Sequence, residues 1–187
     1  MTSSARDKLL GLLRQEALEF REVTLSSGRS SNYYIDCRRV TLSAAGAYLT
    51  AQLVLEHLPP GEVEAVGGLT LGADPIVTAA AALSYQEGRP LNAFIVRKQT
   101  KGHGGRQLIE GPLLASGAQV AIIDDVATTG GSILKAIQAV LDQTDWQVMR
   151  VMCLVDRQEG ARELLAQAGF ELTALFTGEQ LTRNISP

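Results

Sequence analysis

This 187-residue chain is poor in cysteine, histidine and aromatic residues, with two Cys, two His, one Trp and 5% aromatics in all. Two cysteines are too few for a disulfide framework, and Cys37 and Cys153 have no metal-ligand spacing. Cys153 sits in the apolar run Val151-Met152-Cys153-Leu154-Val155, so both thiols are read as reduced and the expected location is cytoplasmic. No apolar run approaches the ~18–20 residues of a membrane span. The polar start Met1-Thr2-Ser3-Ser4-Ala5-Arg6-Asp7 does not read as a secretory signal. Neither charge sign is in large excess: 17 Lys and Arg against 20 Asp and Glu leave a net charge of −3. That balance gives no reason to expect nucleic acid or membrane as a partner. No Gly-x-x-x-x-Gly-Lys-Ser/Thr motif occurs, which disfavours a P-loop enzyme. No repeat, low-complexity tract or linker divides the chain, and its length suits one domain over residues 1–187 with a sizeable core.

The most informative stretch that is present runs from Val120 through Ala121, Ile122, Ile123, Asp124, Asp125, Val126, Ala127, Thr128, Thr129, Gly130 and Gly131 to Ser132. It reads as a buried strand, two adjacent carboxylates and a Thr/Gly/Ser turn, followed by Leu134, Ile137, Val140 and Leu141 at helical spacing. Backbone N–H groups at a helix start favour an anion, and glycines let the backbone close around it. An ionised carboxylate only accepts hydrogen bonds and can take both hydrogens of a vicinal diol. A ribose 5-phosphate suits both halves. The same strand and acids also fit a metal-binding tip or a cap on the next helix; the hydroxyl and glycine turn favours the sugar phosphate.

The rest of the chain alternates between helices and strands. Helices are expected from about Ser3 to Phe20, from Leu42 to Leu58 before Pro59-Pro60-Gly61, and from Ile76 to Tyr85. Short β pieces are expected between Val23 and Val40. Strands are expected at Ala65-Val66 before a glycine-rich turn, at Ala93 to Val96, at Val120 to Ile123 and at Val148 to Val155. The order predicts an α/β fold with a parallel sheet and helices on both faces. Ligands of such sheets sit beyond the carboxyl ends of the strands. Those ends carry Gly67-Gly68-Leu69-Thr70-Leu71-Gly72, Arg97-Lys98, Asp124-Asp125 and Asp156-Arg157, so four chemically loaded tips should converge.

After Val96 comes a basic loop that holds Arg97, Lys98, Lys101, His103 and Arg106, with no acid before Glu110. Gly102, Gly104 and Gly105 make one fixed conformation costly. Such a loop can simply be a solvated surface feature. Its charge favours a lid over pyrophosphate, in which Arg97 offers a planar fork, Lys98 and Lys101 point charges, and His103 a proton near neutral pH.

The acidic pair with its turn resembles the phosphoribosyl-pyrophosphate (PRPP) motif of type I phosphoribosyltransferases. Arg97-Lys98 followed by Lys101-Gly102-His103-Gly104 is similar to the catalytic loop of orotate phosphoribosyltransferases, usually written Arg-Lys-x-x-Lys-Asp-His-Gly. Leu25 to Tyr34 is similar to that family's segment over the base, and Asp156-Arg157-Gln158-Glu159 matches a third segment. The resemblance covers about residues 24–160. It implies a type I phosphoribosyltransferase core with a small hood from about residues 1–40 and the C-terminal segment. The implied reaction is Mg²⁺-dependent: PRPP and orotate give orotidine 5′-monophosphate and pyrophosphate, in pyrimidine synthesis.

Residue by residue, the resemblance implies that Asp124 and Asp125 hold the ribose hydroxyls while Val126, Ala127, Thr128, Thr129, Gly130, Gly131 and Ser132 wrap the 5-phosphate. Arg97, Lys98, Lys101 and His103 bind pyrophosphate, and Lys101, His103, Asp124 and Asp125 are the catalytic set. Arg157 and Thr128 meet orotate, aided by backbone near Tyr33 and Tyr34 and by the charge of Arg29. Magnesium is held mainly by PRPP, with Asp124 or Asp125 reaching it through water and no direct side-chain ligand. The implied assembly is a homodimer in which Lys101 and His103 enter the neighbouring subunit's site.

The chain departs from the family pattern at Gly102, where Asp is usual, and at Leu71, where many bacterial members carry Lys. Asp74 comes with a one-residue shift in that turn, and Ser26 and Ser30 stand where lysines are frequent. Two other readings stay open: a phosphoribosyltransferase for another base such as a purine, and a non-catalytic PRPP-sensing regulator that binds RNA or DNA. His57 is expected at a helix end on the surface. Trp146, Tyr48 and Tyr85 are expected in the core or at its edge, and Glu159, Arg162 and Glu163 at an exposed helix start.

Overall fold

A computed structural model describes residues 3–24, 30–99, 107–183 and 185. The main sheet contains β3 (Ala65–Leu69), β4 (Asn92–Val96), β5 (Ile109–Glu110), β6 (Gln119–Ala127), β7 (Gln147–Asp156) and β8 (Leu172–Thr177). Their order across the sheet is β5-β4-β3-β6-β7-β8, with every neighbouring pair parallel except β4–β5. A separate antiparallel ribbon pairs β1 (Leu18–Thr24) with β2 (Ser30–Ile35).

Helices cover both faces, as the alternation of elements predicts. On one face α1 (Ala5–Leu12), α3 (Ala44–Glu56) and α4 (Asp74–Gln86) bury Leu9, Leu53 and Ile76 against Ile123 and Met152. On the other, α5 (Gly131–Gln143) and α6 (Ala161–Gln167) bury Ile133, Ile137 and Leu165 against Ile122 and Val151. Adjacent residues of β6 and β7 thus feed opposite cores, which is why these strands read as continuous apolar runs. The short α2 (Arg38–Thr41) follows the ribbon, and α7 (Gly178–Thr182) ends the described fold. Arg6 ties α1 to β8: its guanidinium lies 4.6 Å over the Phe176 ring and donates to the Leu175 carbonyl at 2.6 Å.

Several boundaries differ from the expectation. The first helix stops early: after Leu12 the chain makes a π-turn over Leu13–Ala17, and Leu18 to Phe20 belong to β1. Leu9, Leu13 and Ala17 still line one face, so the apolar periodicity was sound while the end was not. Gly67 and Gly68 are strand residues and not part of a turn, which begins at Thr70. A Cβ on Gly67 would lie 2.2 Å from the Phe94 ring, and one on Gly68 2.0 Å from the Ile123 carbonyl oxygen. Glycine is therefore what lets β3 sit this close to its neighbours. Tyr48 and Tyr85 are 56% and 79% exposed and do not enter the core. Their helices bury faces rich in small residues, among them Gly46, Ala51 and Ala80, and turn the tyrosines outward. Trp146 does lie at a core edge, with its ring 5.3 Å from Phe94 in an edge-to-face pair. His57 caps the end of α3 on the surface, with Nδ1 2.8 Å from the Leu53 carbonyl oxygen. Strand β8 had no counterpart in the expected set.

Candidate active site

The four strand tips do converge. Gly72, Lys98, Asp125 and Arg157, one from each tip, line a single cleft of about 720 Å³ beyond the carboxyl ends of the sheet. Thr128 lines it too, and Tyr34, Asp36 and Arg38 close it from the ribbon side. A recess of about 390 Å³ at the opposite rim, between Leu58 and Asn92, involves none of these tips.

Strand β6 delivers the acidic pair. Asp124 is 5% exposed, and Asp125 is more open to the cleft. Asp124 Oδ1 accepts from the Asp125 N–H at 3.0 Å, and Asp125 Oδ1 from the Val126 N–H at 2.9 Å. Burial and the neighbouring Asp125 carboxylate push Asp124 well above the ordinary carboxyl range, opposed by the Lys98 charge. Burial also raises Asp125, opposed by the Val126 N–H and by Arg38. Each carboxyl accepts from one backbone amide and keeps further lone pairs that can take hydroxyl hydrogens.

The turn after β6 begins α5 at Gly130, which has φ +83° and lies beside Ala161. That positive φ suits glycine and starts a thirteen-residue helix whose first amides, from Gly131 and Ser132 on, open toward the turn. Thr128, Thr129, Gly131 and Ser132 are all at least partly accessible there. Val126 lines the cleft through its exposed side, whereas Ala127 is buried.

At the tip of β3, the Thr70 hydroxyl donates to Asp74 Oδ2 at 2.8 Å, while Asp74 Oδ1 is buried with no protein partner. Leu71 lines the cleft with its side chain 55% exposed. Lys98 reaches the cleft, but Arg97 does not line it. Arg97 instead pairs with Glu110 at 3.2 Å, and its N–H donates to the Leu108 carbonyl at 2.8 Å. Lys101, His103, Gly102 and Arg29 lie outside the described residues.

Arg157 is 6% exposed. Its Nε donates to Glu159 Oε1 at 2.8 Å and its Nη2 to the Ser31 hydroxyl at 2.9 Å, and its guanidinium lies 4.3 Å over the Tyr33 ring. Glu159 is thus not part of an exposed helix start. It is partly buried and pairs with Arg157, in a turn after β7 where Gln158 has φ +62°. Asp156, fully buried, holds that turn by accepting from the Gln158 N–H and from Arg162 Nε, each at 2.8 Å.

Sequence reasoning missed Arg38 and Asp36. Arg38 makes a two-pronged pair with Asp36, at 2.8 and 3.0 Å, and faces Asp125 across the cleft. The Asp36 carboxylate raises the Arg38 guanidinium further, and Arg38 lowers Asp36 in return. The available signal was the run Asp36-Cys37-Arg38-Arg39 directly after a strand.

Among the described residues no cluster of three or more His, Cys, Asp or Glu could cage a metal. The Asp125 carboxylate at the cleft wall, with the more buried Asp124 next to it in the chain, would suit a magnesium ion reached through water. Among the described residues no helix is long and apolar enough to cross a membrane.

Residues 60–174 match the family model of the phosphoribosyl transferase domain. The orotate phosphoribosyltransferase of Thermosynechococcus vestitus is 50% identical over 171 residues, which span 91% of this chain and 89% of that one. The crystal structure of the Mycobacterium tuberculosis orotate phosphoribosyltransferase in complex with Fe(III) dicitrate superposes with a TM-score of 0.81 at 39% identity, covering 95% of this chain and 99% of that one. The same enzyme in complex with PRPP gives a TM-score of 0.78 at 38% identity, covering 95% and 99%. Cleft, strand tips and relatives agree: the chain belongs to the orotate phosphoribosyltransferase family.

Proposed function

We propose that the protein transfers ribose 5-phosphate from PRPP to orotate, giving orotidine 5′-monophosphate and pyrophosphate, a step of pyrimidine synthesis. The observation that carries this reading is one cleft with Asp125 on one wall and the nearly buried Arg157 guanidinium on another. The acids suit a ribose diol, and a buried guanidinium suits an acceptor that brings its own carboxylate. A neutral purine brings no carboxylate to the part of the guanidinium that Glu159 and Ser31 leave open. The relative solved with PRPP supports the donor.

On this reading Asp124 and Asp125 accept from the ribose hydroxyls, while Val126, Ala127, Thr128, Thr129, Gly130, Gly131 and Ser132 enclose the 5-phosphate. As the bond from C1 to pyrophosphate lengthens, positive charge gathers on the ribose beside the two carboxylates, which tolerate it. Lys98, Arg97, Lys101 and His103 meet the negative charge that grows on pyrophosphate. Magnesium, when bound with PRPP, neutralises part of the same leaving group. Arg157 and Thr128 orient orotate, with backbone near Tyr33 and Tyr34. For Arg97 to take part, its contact with Glu110 has to give way to pyrophosphate.

The same reading takes residues 1–187 as one cytoplasmic phosphoribosyltransferase domain, with the β1–β2 ribbon, α1 and the C-terminal segment as its hood. It makes the working unit a homodimer in which Lys101 and His103 serve the neighbouring subunit's cleft. The test is an acceptor panel: purified protein with Mg²⁺ and PRPP is offered orotate, uracil, adenine, guanine or hypoxanthine, and acceptor consumption is followed. Consumption of orotate alone is expected. Consumption of a purine with orotate untouched overturns the acceptor, and PRPP binding with no turnover favours the regulator.

A further inference from the structure

Arg157 does not hold its own position. Three groups from two separate parts of the chain grip it: Glu159 at Nε, Ser31 at Nη2, and the Tyr33 ring against its flat face. The Ser31 hydroxyl donates to the Tyr33 carbonyl at 3.0 Å and lies 3.3 Å from the Tyr33 N–H, so its lone pairs face Arg157 and that amide. The direction of the Arg157–Ser31 bond is thereby fixed. With Nε and one Nη2 hydrogen taken, the edge formed by Nη1 and the second Nη2 hydrogen is the fork left for a carboxylate.

Glu159 does not line the main cleft. It borders a neighbouring recess of about 420 Å³ with Glu22, Ser30, Ser31 and Asn32, and its Oε2 is buried with no protein partner. Its place is behind Arg157, as the counter-charge that a nearly buried guanidinium needs.

We infer that Glu159 and Ser31 are positioning residues that aim the free edge of Arg157 at the acceptor's carboxylate. Ser31 belongs to the β1–β2 ribbon and Arg157 to the end of β7, so acceptor recognition depends on the ribbon being seated on the main sheet. The inference rests on the reading of Arg157 as the acceptor-binding group, and the test separates the two.

Initial rates are measured with orotate and with PRPP varied in turn, for the wild type and for Glu159→Ala, Glu159→Gln, Ser31→Ala and Arg157→Ala. Glu159→Ala and Ser31→Ala are expected to raise KM for orotate about tenfold each, the cost of about one charge-assisted hydrogen bond. KM for PRPP should stay within about twofold, since the ribose acids are untouched. Glu159→Gln keeps an acceptor oxygen for Nε and should recover most of the loss. A merely structural role would lower kcat and raise both KM values together, and would not be rescued by Gln. If Arg157→Ala raises the orotate KM while neither Glu159→Ala nor Ser31→Ala does, the inference is overturned and the acceptor reading survives. If Arg157→Ala itself leaves the orotate KM unchanged, the acceptor reading fails. Should Glu159→Ala not fold, Ser31→Ala and Glu159→Gln decide alone: an unchanged orotate KM in Ser31→Ala overturns the inference.

Discussion

Asp125 occupies the space that a side chain on Gly72 would need: a Cβ there would sit 2.2 Å from Asp125 Oδ1 and 2.6 Å from its carboxyl carbon. Two strand tips, far apart in sequence, thus interlock at the wall of the cleft. The neighbouring Leu71 projects into the cleft, so the tip contributes shape there and no charge.

Gly72→Ala is therefore expected to displace the Asp125 carboxylate with little damage to either core. The predicted outcome is a loss of about 10²-fold in kcat/KM for PRPP, the scale of a misplaced catalytic group, with a melting temperature within a few degrees of the wild type. Steady-state kinetics beside a thermal melt checks both halves; unchanged kinetics would show that Asp125 has no fixed place in turnover.

Asp124 gives a prediction of opposite sign for stability and activity. Its carboxyl is raised above the ordinary 3.8 by burial first and Asp125 second, so the folded chain holds that proton more tightly than the unfolded chain. The resulting stability is present below the ordinary carboxyl pKa and is lost as pH rises through the raised folded value. Asp124→Asn removes the ionisation and can still accept from the Asp125 N–H. At pH 7–8 it should melt higher than the wild type, by about 2–4 °C for each kcal/mol relieved in a chain of this length. The gap should close toward pH 4. Turnover should fall by about 10- to 100-fold with loss of a charged acceptor for the ribose. Calorimetry from pH 4 to 8 tests the first part, and a lower melting temperature for the variant at pH 7 contradicts it.

Gly68→Ala should act on the fold instead. Its Cβ would meet the Ile123 carbonyl oxygen at 2.0 Å and the Ala73 Cβ at 2.6 Å, where backbone has no room to move. A destabilisation of about 1–3 kcal/mol is expected, read from the urea midpoint at unchanged slope.

What could be read from the residues was whatever carries its own local pattern. The tip of β6 announces itself, because an apolar run, two acids and a hydroxyl–glycine turn occur in one unbroken stretch. The tip after β7 was equally plain at Arg157, yet its partners were not: Glu159 meets it across the turn at Gln158, and Ser31 lies 126 residues away in the chain. Gly67 and Gly68 looked like a turn because glycine usually marks one, and only the closeness of Phe94 and Ile123 explains them inside a strand. Tyr48 and Tyr85 were expected in the core or at its edge, but the buried faces of α3 and α4 include small residues such as Gly46, Ala51 and Ala80, and both tyrosines stay outside. Strand β8 follows α6 after a few residues and, among the described residues, pairs with β7 alone at the sheet edge, so its short run gave little local signal.

Sharing of the site between subunits predicts complementation. Lys101→Ala and Asp125→Asn should each be nearly inactive alone. Mixed and allowed to exchange subunits, they should regain about a quarter of the wild-type sites, the statistical share of intact clefts in randomly mixed dimers whose lids cross. A mixture that stays as inactive as its parents shows that each lid serves its own cleft.

The central claim, that one cleft joins the ribose acids to an orotate-binding arginine, is tested most directly by following orotate consumption and pyrophosphate release together with Mg²⁺ and PRPP, in the wild type and in Asp125→Asn. The account predicts equal molar consumption and release in the wild type and a loss of at least about tenfold in the variant. Orotate left unconsumed by a folded, PRPP-binding wild type, or a variant as fast as the wild type, would contradict it.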